Sequence, residues 1–467
     1  MLWLALHFPA LSLEVFTRGS ASALPLAVVE KQGNRTWVIA RNDPAAERGV
    51  RPGMAASAAQ ALADELVVRQ RDPGDEQAAL TGLAAWAGRF TPSVSLQAPD
   101  GLLLEVGTCL TLHRGLDNLR ARVREGVDAM AYSATSACAP TALGAWLLAQ
   151  AGEETAVDAN ALEARLARLP VGLLDLSPDT RESLDLVGAH TLGDCLKLPR
   201  AGLARRYGQG LLDQLDRALG RLPEPRAFFA PPPRFERRLE LPAPVEHAEA
   251  LLFVARRLLP ELEGYLALRQ AGVQALEYVC RHEGRPDTVL KLGFVKPVRA
   301  ASRMLLLLRE TLERTVLPAP VYAVRLRARR LQPLHGSSPD LFQRGEEAGD
   351  GDLLLERLRV RLGRDAVYGV EAVADHRPER AWRRCEAGTR TKPAAAPKRP
   401  LWLLPRPLPC RNGDLVLKGA VERIESGWWD GRDATRDYYV AQDRAGARLW
   451  VYCERATGEW FVHGLFA

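Results

Sequence analysis

Long apolar runs are missing from this sequence of 467 residues. No stretch reaches the ~20 apolar residues that a membrane-spanning helix requires. The first 20 residues also lack the charged start and the small-residue cleavage site of a secretory signal. We therefore expect a cytoplasmic protein with no membrane partner.

Cysteine is scarce and scattered. The seven cysteines lie at positions 109, 138, 195, 280, 385, 410 and 453, with no C-x-x-C pair and no histidine pair at zinc-ligand spacing. The sequence therefore predicts neither a disulfide framework nor a structural metal site, and it indicates no cofactor.

Charge and length set broad limits. The chain is longer than one hydrophobic core usually supports, so several domains are expected. Its composition, 47% hydrophobic and 26% charged, is that of a globular protein. The net charge of +6 and the pI near 9.0 are compatible with nucleic-acid binding, although an arginine excess is also common in proteins from GC-rich genomes.

Residues 1–165 predict a mixed α/β domain. Short apolar runs bounded by turn residues indicate strands at 2–8, 26–30, 36–40 and 94–106. The last of these runs, VSLQAPDGLLLEV, contains a Pro-Asp-Gly turn and therefore indicates two strands. Helical spacing of apolar residues is found at 55–66, 76–87 and 141–151.

The segment 166–222 predicts helices only. Within it, LVGAHTLGDCLKL at 186–198 places Gly188 in a tight turn and Thr191 at the start of the next helix. A helix-hairpin-helix of this kind presents backbone N–H groups to a phosphate. A plain pair of antiparallel helices without a ligand explains the same short pattern.

A Pro-rich linker at 223–235 precedes a β-α-β-β-α-β pattern at 236–331. From 231 to 331 the sequence holds 18 Lys and Arg against 11 Asp and Glu, so this part carries as much positive charge as the whole chain. One strand, VRLRARR, places three arginines on one face: Arg325, Arg327 and Arg329. Such a face indicates either contact with a phosphate backbone or a solvated surface.

The remaining sequence changes character twice. Residues 332–400 are of low regularity with one short helical stretch, and 401–467 alternate aromatic with polar residues between turns. The second pattern predicts antiparallel hairpins. Its aromatic residues are either the core of a small β subdomain or a surface for a partner.

This order of segments resembles the Y-family translesion DNA polymerases, in which palm and fingers, thumb and little finger follow one another. The resemblance covers about residues 1–331. The tail, with ADHRPERAW, RPLWLLPRP and a closing GWWDG, resembles the ImuB-type branch of that family, and this second resemblance covers the whole chain. Proteins of that branch are regarded as mutagenesis-cassette components that have lost catalysis.

The family's catalytic acids are replaced in the matching motifs. The first motif, D-x-D-x-F-[FY]-A-S-V-E, matches ALHFPALSLE at 5–14, so that Ala5 and His7 stand at the two aspartates. The second, S-I-D-E-A-[YF]-L-D, matches APDGLLLE at 98–105. There Asp100 is kept, and Gly101 replaces the adjacent glutamate.

Residues that would hold the incoming nucleotide are replaced as well. The fingers motif Y-x-x-R matches Asp43 and Ala46, and the paired lysines match Ala142 and Trp146. Two-metal phosphoryl transfer needs several carboxylates around two Mg²⁺ ions, which prefer oxygen ligands to imidazole. The resemblance therefore implies a polymerase fold without polymerase activity.

The thumb and little finger carry no comparable losses. The resemblance implies that they still hold primer-template DNA, largely through phosphates and without sequence preference. The residues expected to contact the DNA are Gly188, His190, Thr191, Arg205, Arg206, Lys291, Lys296, Arg299, Arg303, Arg325, Arg327 and Arg329.

A short motif follows the little-finger segment. The residues Ser338, Pro339, Asp340, Leu341 and Phe342 resemble the sliding-clamp-binding pentapeptide Q-x-[LSD]-L-F. Leu341 and Phe342 would supply two apolar anchors for a pocket on the clamp. The DNA polymerase sliding clamp is therefore an expected partner.

The tail of the ImuB-type branch is implied to dock an ImuA-type RecA-like protein and an error-prone C-family DNA polymerase, which performs the synthesis. The expected contacts are Trp428, Trp429, Tyr438, Tyr439, Trp450, Trp460 and Phe461. The prediction is a non-catalytic adaptor of SOS-type translesion synthesis, located at the nucleoid. Two alternatives stay open: a slow active polymerase using Asp100, Glu105 and a third acid such as Glu14, and a DNA-binding protein without partners.

Overall fold

The computed structural model describes residues 1–18, 24–152, 155–334, 347–389 and 399–466. The chain forms two compact units, residues 1–345 and 346–467. The first unit mixes helices with sheets that are mainly antiparallel, whereas the second consists mostly of strands. The chain is therefore a mixed α/β, multidomain protein with a β-rich C-terminal segment, as the sequence predicts.

Two small sheets and their helices make up the N-terminal part. Its elements in chain order are β1 (Trp3–His7), α1 (Leu11–Thr17), β2 (Leu26–Gln32), β3 (Arg35–Arg41), α2 (Asp43–Glu47), α3 (Ala56–Leu62), β4 (Val67–Gln70), α4 (Pro73–Ala87), β5 (Val94–Gln97), β6 (Gly101–Glu105), α5 (Leu116–Ala129), β7 (Thr135–Ala139) and α6 (Ala142–Ala151). Strands β5-β6-β1-β7 form an antiparallel sheet in that order, which we call the N-terminal sheet. Strands β3-β2-β4 form the second sheet.

Both faces of the N-terminal sheet are buried, because residues two apart along a strand point to the same side. Leu4 and Leu6 pack with α4 and α5 in one apolar cluster. Trp3 and Ala5 pack on the other side, in a cluster with α6. His7 ends β1 on this second side, which places it beside α6.

A helical segment extends the second cluster. It comprises α7 (Ala159–Leu166), α8 (Pro178–Leu186), α9 (Leu192–Lys197), α10 (Arg200–Tyr207) and α11 (Gln209–Ala218). Gly188 between α8 and α9 has φ +73°, a conformation that glycine adopts without strain. Thr191 caps α9 in a capping box with Asp194. The predicted tight turn and helix start are confirmed.

The next sheet carries the arginine-rich strand. Its elements are β8 (Glu236–Val245), α12 (Ala248–Leu268), β9 (Ala271–His282), β10 (Arg285–Val298), α13 (Ala301–Leu312) and β11 (Val321–Pro333). The predicted β-α-β-β-α-β order is confirmed, with strands in the order β10-β9-β11-β8. We call this antiparallel sheet the basic sheet. Helices α12 and α13 pack on one of its faces.

A buried ionic cluster joins α12 to the N-terminal part. Glu261 is 2% exposed, and its carboxylate accepts hydrogen bonds from Arg18 at 3.0 Å and from Arg237 at 3.1 Å. Glycine lets the helices cross closely, since a Cβ at Gly264 would lie 2.4 Å from the Cα of Trp86. The basic sheet is therefore held against the N-terminal part.

The predicted linker, 223–235, is also held along its course. The Phe229 N–H donates to the Val94 carbonyl at 2.6 Å, and the Phe228 ring stacks on Trp3. Strand β5, which contains Val94, is an edge of the N-terminal sheet and has a free side for this contact. The segment therefore packs along the sheet edge and is not a detached linker.

The second unit contains α14 (Glu347–Leu362), β12 (Tyr368–Ala372), β13 (Trp382–Glu386), β14 (Trp402–Cys410), β15 (Val416–Ser426), β16 (Ala434–Gln442), β17 (Arg448–Glu454) and β18 (Trp460–Leu465). Strands β12 and β13 pair as a two-stranded ribbon. The other strands form the antiparallel tail sheet, ordered β14-β18-β17-β16-β15, which confirms the predicted hairpins. Throughout the described ranges, every helix is too short or too polar to cross a bilayer.

Candidate functional site

His7 and Asp100 meet at one end of the N-terminal sheet. The register of β1 against β6 pairs His7 with Gly101, next to Asp100. His7 Nε2 lies 3.5 Å from Asp100 Oδ2, and its Nδ1 lies 3.4 Å from the Thr135 hydroxyl. One imidazole and one carboxylate therefore stand where the resembled motifs place several acids.

The indole of Trp146 fills the space beside this pair. A Cβ at Gly101 would lie 2.2 Å from Cζ3 of Trp146, and the His7 ring meets the same indole edge-on at 5.3 Å between centroids. Ala5 is fully buried in the same apolar cluster. A glutamate side chain at position 101 would therefore need the space that this indole occupies.

The other two candidate acids are engaged elsewhere. Glu105 pairs with Trp3, four residues and ~13 Å along the strands from the His7–Gly101 pair. Its carboxylate accepts hydrogen bonds from the N–H groups of Leu2 and Gly107. Glu14 accepts from the Ser133 N–H at 2.8 Å, and burial raises the pKa of its carboxyl group. In the described ranges no cluster of His, Cys, Asp and Glu has the form of a metal site.

The start of α6 is already occupied by the chain's own carboxylate. The Leu143 N–H donates to Glu224 Oε2 at 3.0 Å, and the Thr141 hydroxyl accepts from the Gly144 N–H. That hydroxyl also donates to the Ala218 carbonyl at the end of α11. The helix start next to Ala142, which could attract a phosphate, thus binds the linker and the helical segment.

The turn around Gly188 uses its backbone donors internally. The N–H groups of Val187, Gly188 and Ala189 donate to carbonyls of α8, and those of Leu192 and Gly193 donate to Leu169 and Ala167. The Thr191 N–H donates to Asp194, and the ring of His190 lies 3.3 Å from Asp185. The donors that the motif predicts for phosphate are therefore largely committed within the fold.

The same helical segment carries two exposed arginines. Arg205 and Arg206 are in the last turn of α10, where Arg206 Nη2 lies 3.5 Å from the Ser183 hydroxyl of α8. The guanidinium of Arg206 also stacks on Tyr207. Phosphate contact by this segment would therefore depend on side chains more than on the turn backbone.

The open face of the basic sheet brings together the predicted strand arginines. Arg325 and Arg327 share the carboxylate of Glu236, at 3.4 and 3.3 Å, and Arg329 pairs with Glu277 at 2.8 Å. Lys291 is exposed and lies opposite Glu277 in the register of β10 and β9. Two arginines against one carboxylate leave an excess of positive charge on this face.

The remaining predicted cations differ in position. Arg299 donates to the carbonyls of Ala271 and Leu334, so it ties the ends of β9 and β11 together. Lys296 is exposed near the end of β10, and Arg303 is half-buried in the first turn of α13. Arg299 therefore has a structural role that the sequence pattern did not indicate.

The tail sheet separates the predicted partner residues into two groups. Tyr438 and Trp450 are buried, with ring centroids 4.1 Å apart, beside His463. These two residues are corrected from partner surface to core, because a buried ring presents no area to a partner. Tyr439, Trp460 and Phe461 are half-buried, with Tyr439 packed on Trp460 and Phe461 on Tyr452.

The tryptophan pair of the β15–β16 turn stays exposed. Trp428 and Trp429 are 78% and 60% exposed and meet edge-to-face. Arg377 supports the turn: its guanidinium binds Asp375 and Asp430 and lies over the Trp429 ring. These ion pairs lower the pKa of both carboxyl groups. The ADHRPERAW and GWWDG stretches are thereby joined.

The predicted clamp motif, residues 338–342, lies outside the described residues. Its assignment stays a prediction from the sequence.

Comparison with known proteins identifies the family of the chain. The sequence model of the impB/mucB/samB family matches residues 11–150. The protein named ImuB of Caulobacter vibrioides strain NA1000 / CB15N is 31% identical over 464 residues, which is 90% of this chain and 100% of the relative. The protein from strain ATCC 19089 / CIP 103742 / CB 15 gives the same figures. The chain belongs to the ImuB family.

Two solved structures are similar at lower identity to this ImuB-family chain. A Y-family DNA polymerase chimera of Dbh and Dpo4 is 16% identical with a TM-score of 0.41, covering 71% of this chain and 99% of the chimera. DinB from Sulfolobus solfataricus is 17% identical with a TM-score of 0.40, covering 72% and 100%. The recognition of the ImuB family from the sequence is confirmed by the relatives and the family match.

Two features of this ImuB-family chain were not predicted from the sequence. Trp146 was matched to a lost lysine, but the indole of Trp146 also occupies the space of the missing glutamate. Glu236 was not singled out, although its carboxylate holds two of the three strand arginines. The alternation of β8 places Glu236 on the open face, so the pairing could have been anticipated once the register was known.

Proposed function

We propose that this ImuB-family chain is a non-catalytic adaptor in translesion synthesis and SOS-type mutagenesis. It binds primer-template DNA and the sliding clamp, and it recruits an error-prone C-family polymerase and an ImuA-type RecA-like partner at the nucleoid. Three modest interactions on one chain reinforce one another through effective concentration, so none of them has to be tight.

The observation that supports the loss of catalysis is the position of Trp146. An apolar ring takes the volume that a glutamate at 101 would need, and Ala5 is buried in the same cluster. Glu105 and Glu14 are held by other groups, which disfavours the slow polymerase that would use them with Asp100. Two magnesium ions have too few oxygen ligands here.

DNA binding is assigned mainly to the basic sheet. Its open face holds Arg325, Arg327, Arg329 and Lys291, and among the described residues two carboxylates, Glu236 and Glu277, pair with the three arginines. Contacts to phosphates from such a face carry no sequence information, which suits a protein that must act at any lesion. Arg205 and Arg206 would add phosphate contacts from the helical segment.

Primer extension tests the catalytic part of the proposal. The full-length protein is incubated with primer-template DNA and nucleotides in Mg²⁺ or Mn²⁺, beside the Asp100→Ala variant. We expect no template-dependent incorporation by either protein. Incorporation that Asp100→Ala abolishes would overturn the proposal in favour of the slow polymerase.

Pull-down tests the partner part. Immobilised sliding clamp is offered the full-length protein or the Leu341→Ala/Phe342→Ala variant, and we expect only the variant to lose binding. Cognate C-family polymerase and RecA-like partner are offered the full-length chain and the Trp428→Ala/Trp429→Ala variant. Unchanged capture of the clamp and of both proteins by the variants would refute these sites, and no capture by the full-length chain would leave a DNA-binding protein without partners.

A further inference from the structure

The ribbon β12–β13 has one face that is exposed along its whole length. Residues directly opposite in an antiparallel pair share a face, and the register pairs Tyr368 with Glu386, Val370 with Arg384 and Ala372 with Trp382. Tyr368, Val370 and Trp382 are 44%, 61% and 51% exposed. The opposite face is largely half-buried, so the exposed one is distinct.

The aromatic rings on this face are separated, not clustered. Tyr368 belongs to the first row of the face and Trp382 to the last. These rows are four residues apart along the strand, which is ~13 Å. Arg384 stands in the row between them, with its guanidinium 4.0 Å from the centroid of the Tyr368 ring. A protein hot spot would gather such residues in one pocket, whereas separated flat groups suit successive bases.

The charge around the ribbon favours an anionic ligand. The acid on the exposed face, Glu386, pairs with Arg359 at 2.9 Å, and Glu371 on the other face pairs with Arg383. The exposed face also carries Arg384, whose guanidinium lies over the Tyr368 ring and adds a positive charge. A phosphate backbone passing this face would meet net positive charge.

We propose that the exposed face of β12–β13 binds single-stranded DNA by stacking bases on Tyr368 and Trp382, with Arg384 between them. This site is separate from the basic sheet, because the ribbon belongs to the second compact unit. Stacking is tolerant of base identity, because every base has a flat π-face.

The test uses the full-length protein and fluorescence anisotropy with labelled oligo(dT) of about 20 nucleotides, long enough for one such site. Tyr368→Ala with Trp382→Ala should weaken oligo(dT) binding about tenfold or more. Tyr368→Phe with Trp382→Phe should keep most of the affinity. Trp402→Ala, which removes a tryptophan of the tail sheet that is 68% exposed, serves as the matched control and should have no effect.

Salt dependence separates stacking from phosphate contact. The alanine pair should lower affinity without changing the slope of log K against log salt, whereas Arg384→Gln should reduce the slope by about one. Binding of blunt duplex DNA should be unaffected by all three ribbon changes. If the basic-sheet proposal were wrong, duplex binding would survive charge reversal of Arg325, Arg327 and Arg329. The failures of the two proposals can therefore be distinguished.

Unchanged oligo(dT) affinity of the alanine pair would overturn the proposal. Loss of a protein partner with intact oligo(dT) binding would also overturn it and assign the face to protein recognition. Because both rings are exposed, the variants should keep the far-ultraviolet circular dichroism and thermal unfolding of the parent chain.

Discussion

The N-terminal sheet and the basic sheet use polar residues in opposite ways. At the end of β1, the ring of Trp146 and the small residues Ala5 and Gly101 fill the space beside His7. On the basic sheet, arginines stay at the surface and are only partly compensated by Glu236 and Glu277. Packing can thus close one site of a fold while a nearby face keeps its charge, because the two depend on different residues.

The largest expected effect comes from reversing the charge of the basic sheet. Arg325→Glu, Arg327→Glu and Arg329→Glu together should weaken duplex DNA binding ~100-fold or more near physiological salt, because three phosphate contacts become repulsions. The slope of log K against log salt should fall by about three. Fluorescence anisotropy at several salt concentrations measures both quantities.

The control for this variant changes net charge equally at another place. Arg35→Glu, Arg114→Glu and Arg124→Glu alter exposed residues of the N-terminal part. If this control weakens DNA binding as much as the strand variant, the basic sheet has no special role. Circular dichroism checks that β11 still pairs in the variant.

The next effect concerns the packing of Trp146 against Gly101 in the N-terminal part. Gly101→Glu should lower the free energy of unfolding by ~1–3 kcal/mol, because the new side chain collides with Trp146. The cost should be smaller in a Trp146→Ala background, which by itself costs ~3–5 kcal/mol. Denaturant titration of the four proteins gives the coupling energy. Equal costs of Gly101→Glu in both backgrounds would show that the indole does not fill the space.

A smaller effect on stability is expected from His463 and Tyr438, which are buried in the tail sheet. Burial lowers the pKa of His463, whose Nδ1 lies 2.7 Å from the Tyr438 hydroxyl. Just below pH 6.5 the unfolded chain therefore binds a proton at this histidine that the folded chain does not bind. The contribution to stability is complete above that pH and is lost as the pH falls toward the lowered pKa, at a rate of at most about 1.4 kcal/mol per pH unit.

Thermal unfolding followed by tryptophan fluorescence at pH 7.5 and 5.5 measures this loss. His463→Asn removes the titrating group, and its unfolding temperature should change less between the two pH values. An equal pH dependence in both proteins would assign the effect to other groups.

The smallest effect concerns the helix cap. Thr191→Ala removes the capping box with Asp194 and should cost about 1 kcal/mol of stability. Ser57→Ala on α3 removes an exposed hydroxyl that is not at an N-cap position and serves as the control. Equal unfolding temperatures of the two variants would contradict the importance of the cap.

Local patterns predicted most of the fold. The strands at 26–30 and 36–40, the turn at Gly188 and the β-α-β-β-α-β order follow from apolar spacing and turn residues, which act within a few positions. Strands β4 and β7 were missed, because VVRQ has only two apolar residues and TSACA consists of small residues, so neither shows a clear apolar run. The docked linker was missed as well, since its contacts with Trp3 and Val94 cross more than a hundred positions.

Side-chain roles were predicted less well than elements. The alternation of aromatic residues in 401–467 indicated strands, but the register decided that Tyr438 and Trp450 are core and that Trp428 and Trp429 are surface. In the same way, the hairpin motif placed Gly188 correctly without showing that its N–H groups are bonded inside the fold.

The indole of Trp146 also bears on how this chain can change over time. A lineage that acquired a glutamate at 101 first would pass through a destabilised protein, and one that lost the indole first would leave a cavity in the apolar cluster. Either single step is penalised before any catalytic gain is possible. Under the proposed non-catalytic function, this packing would therefore oppose an evolutionary return of catalysis.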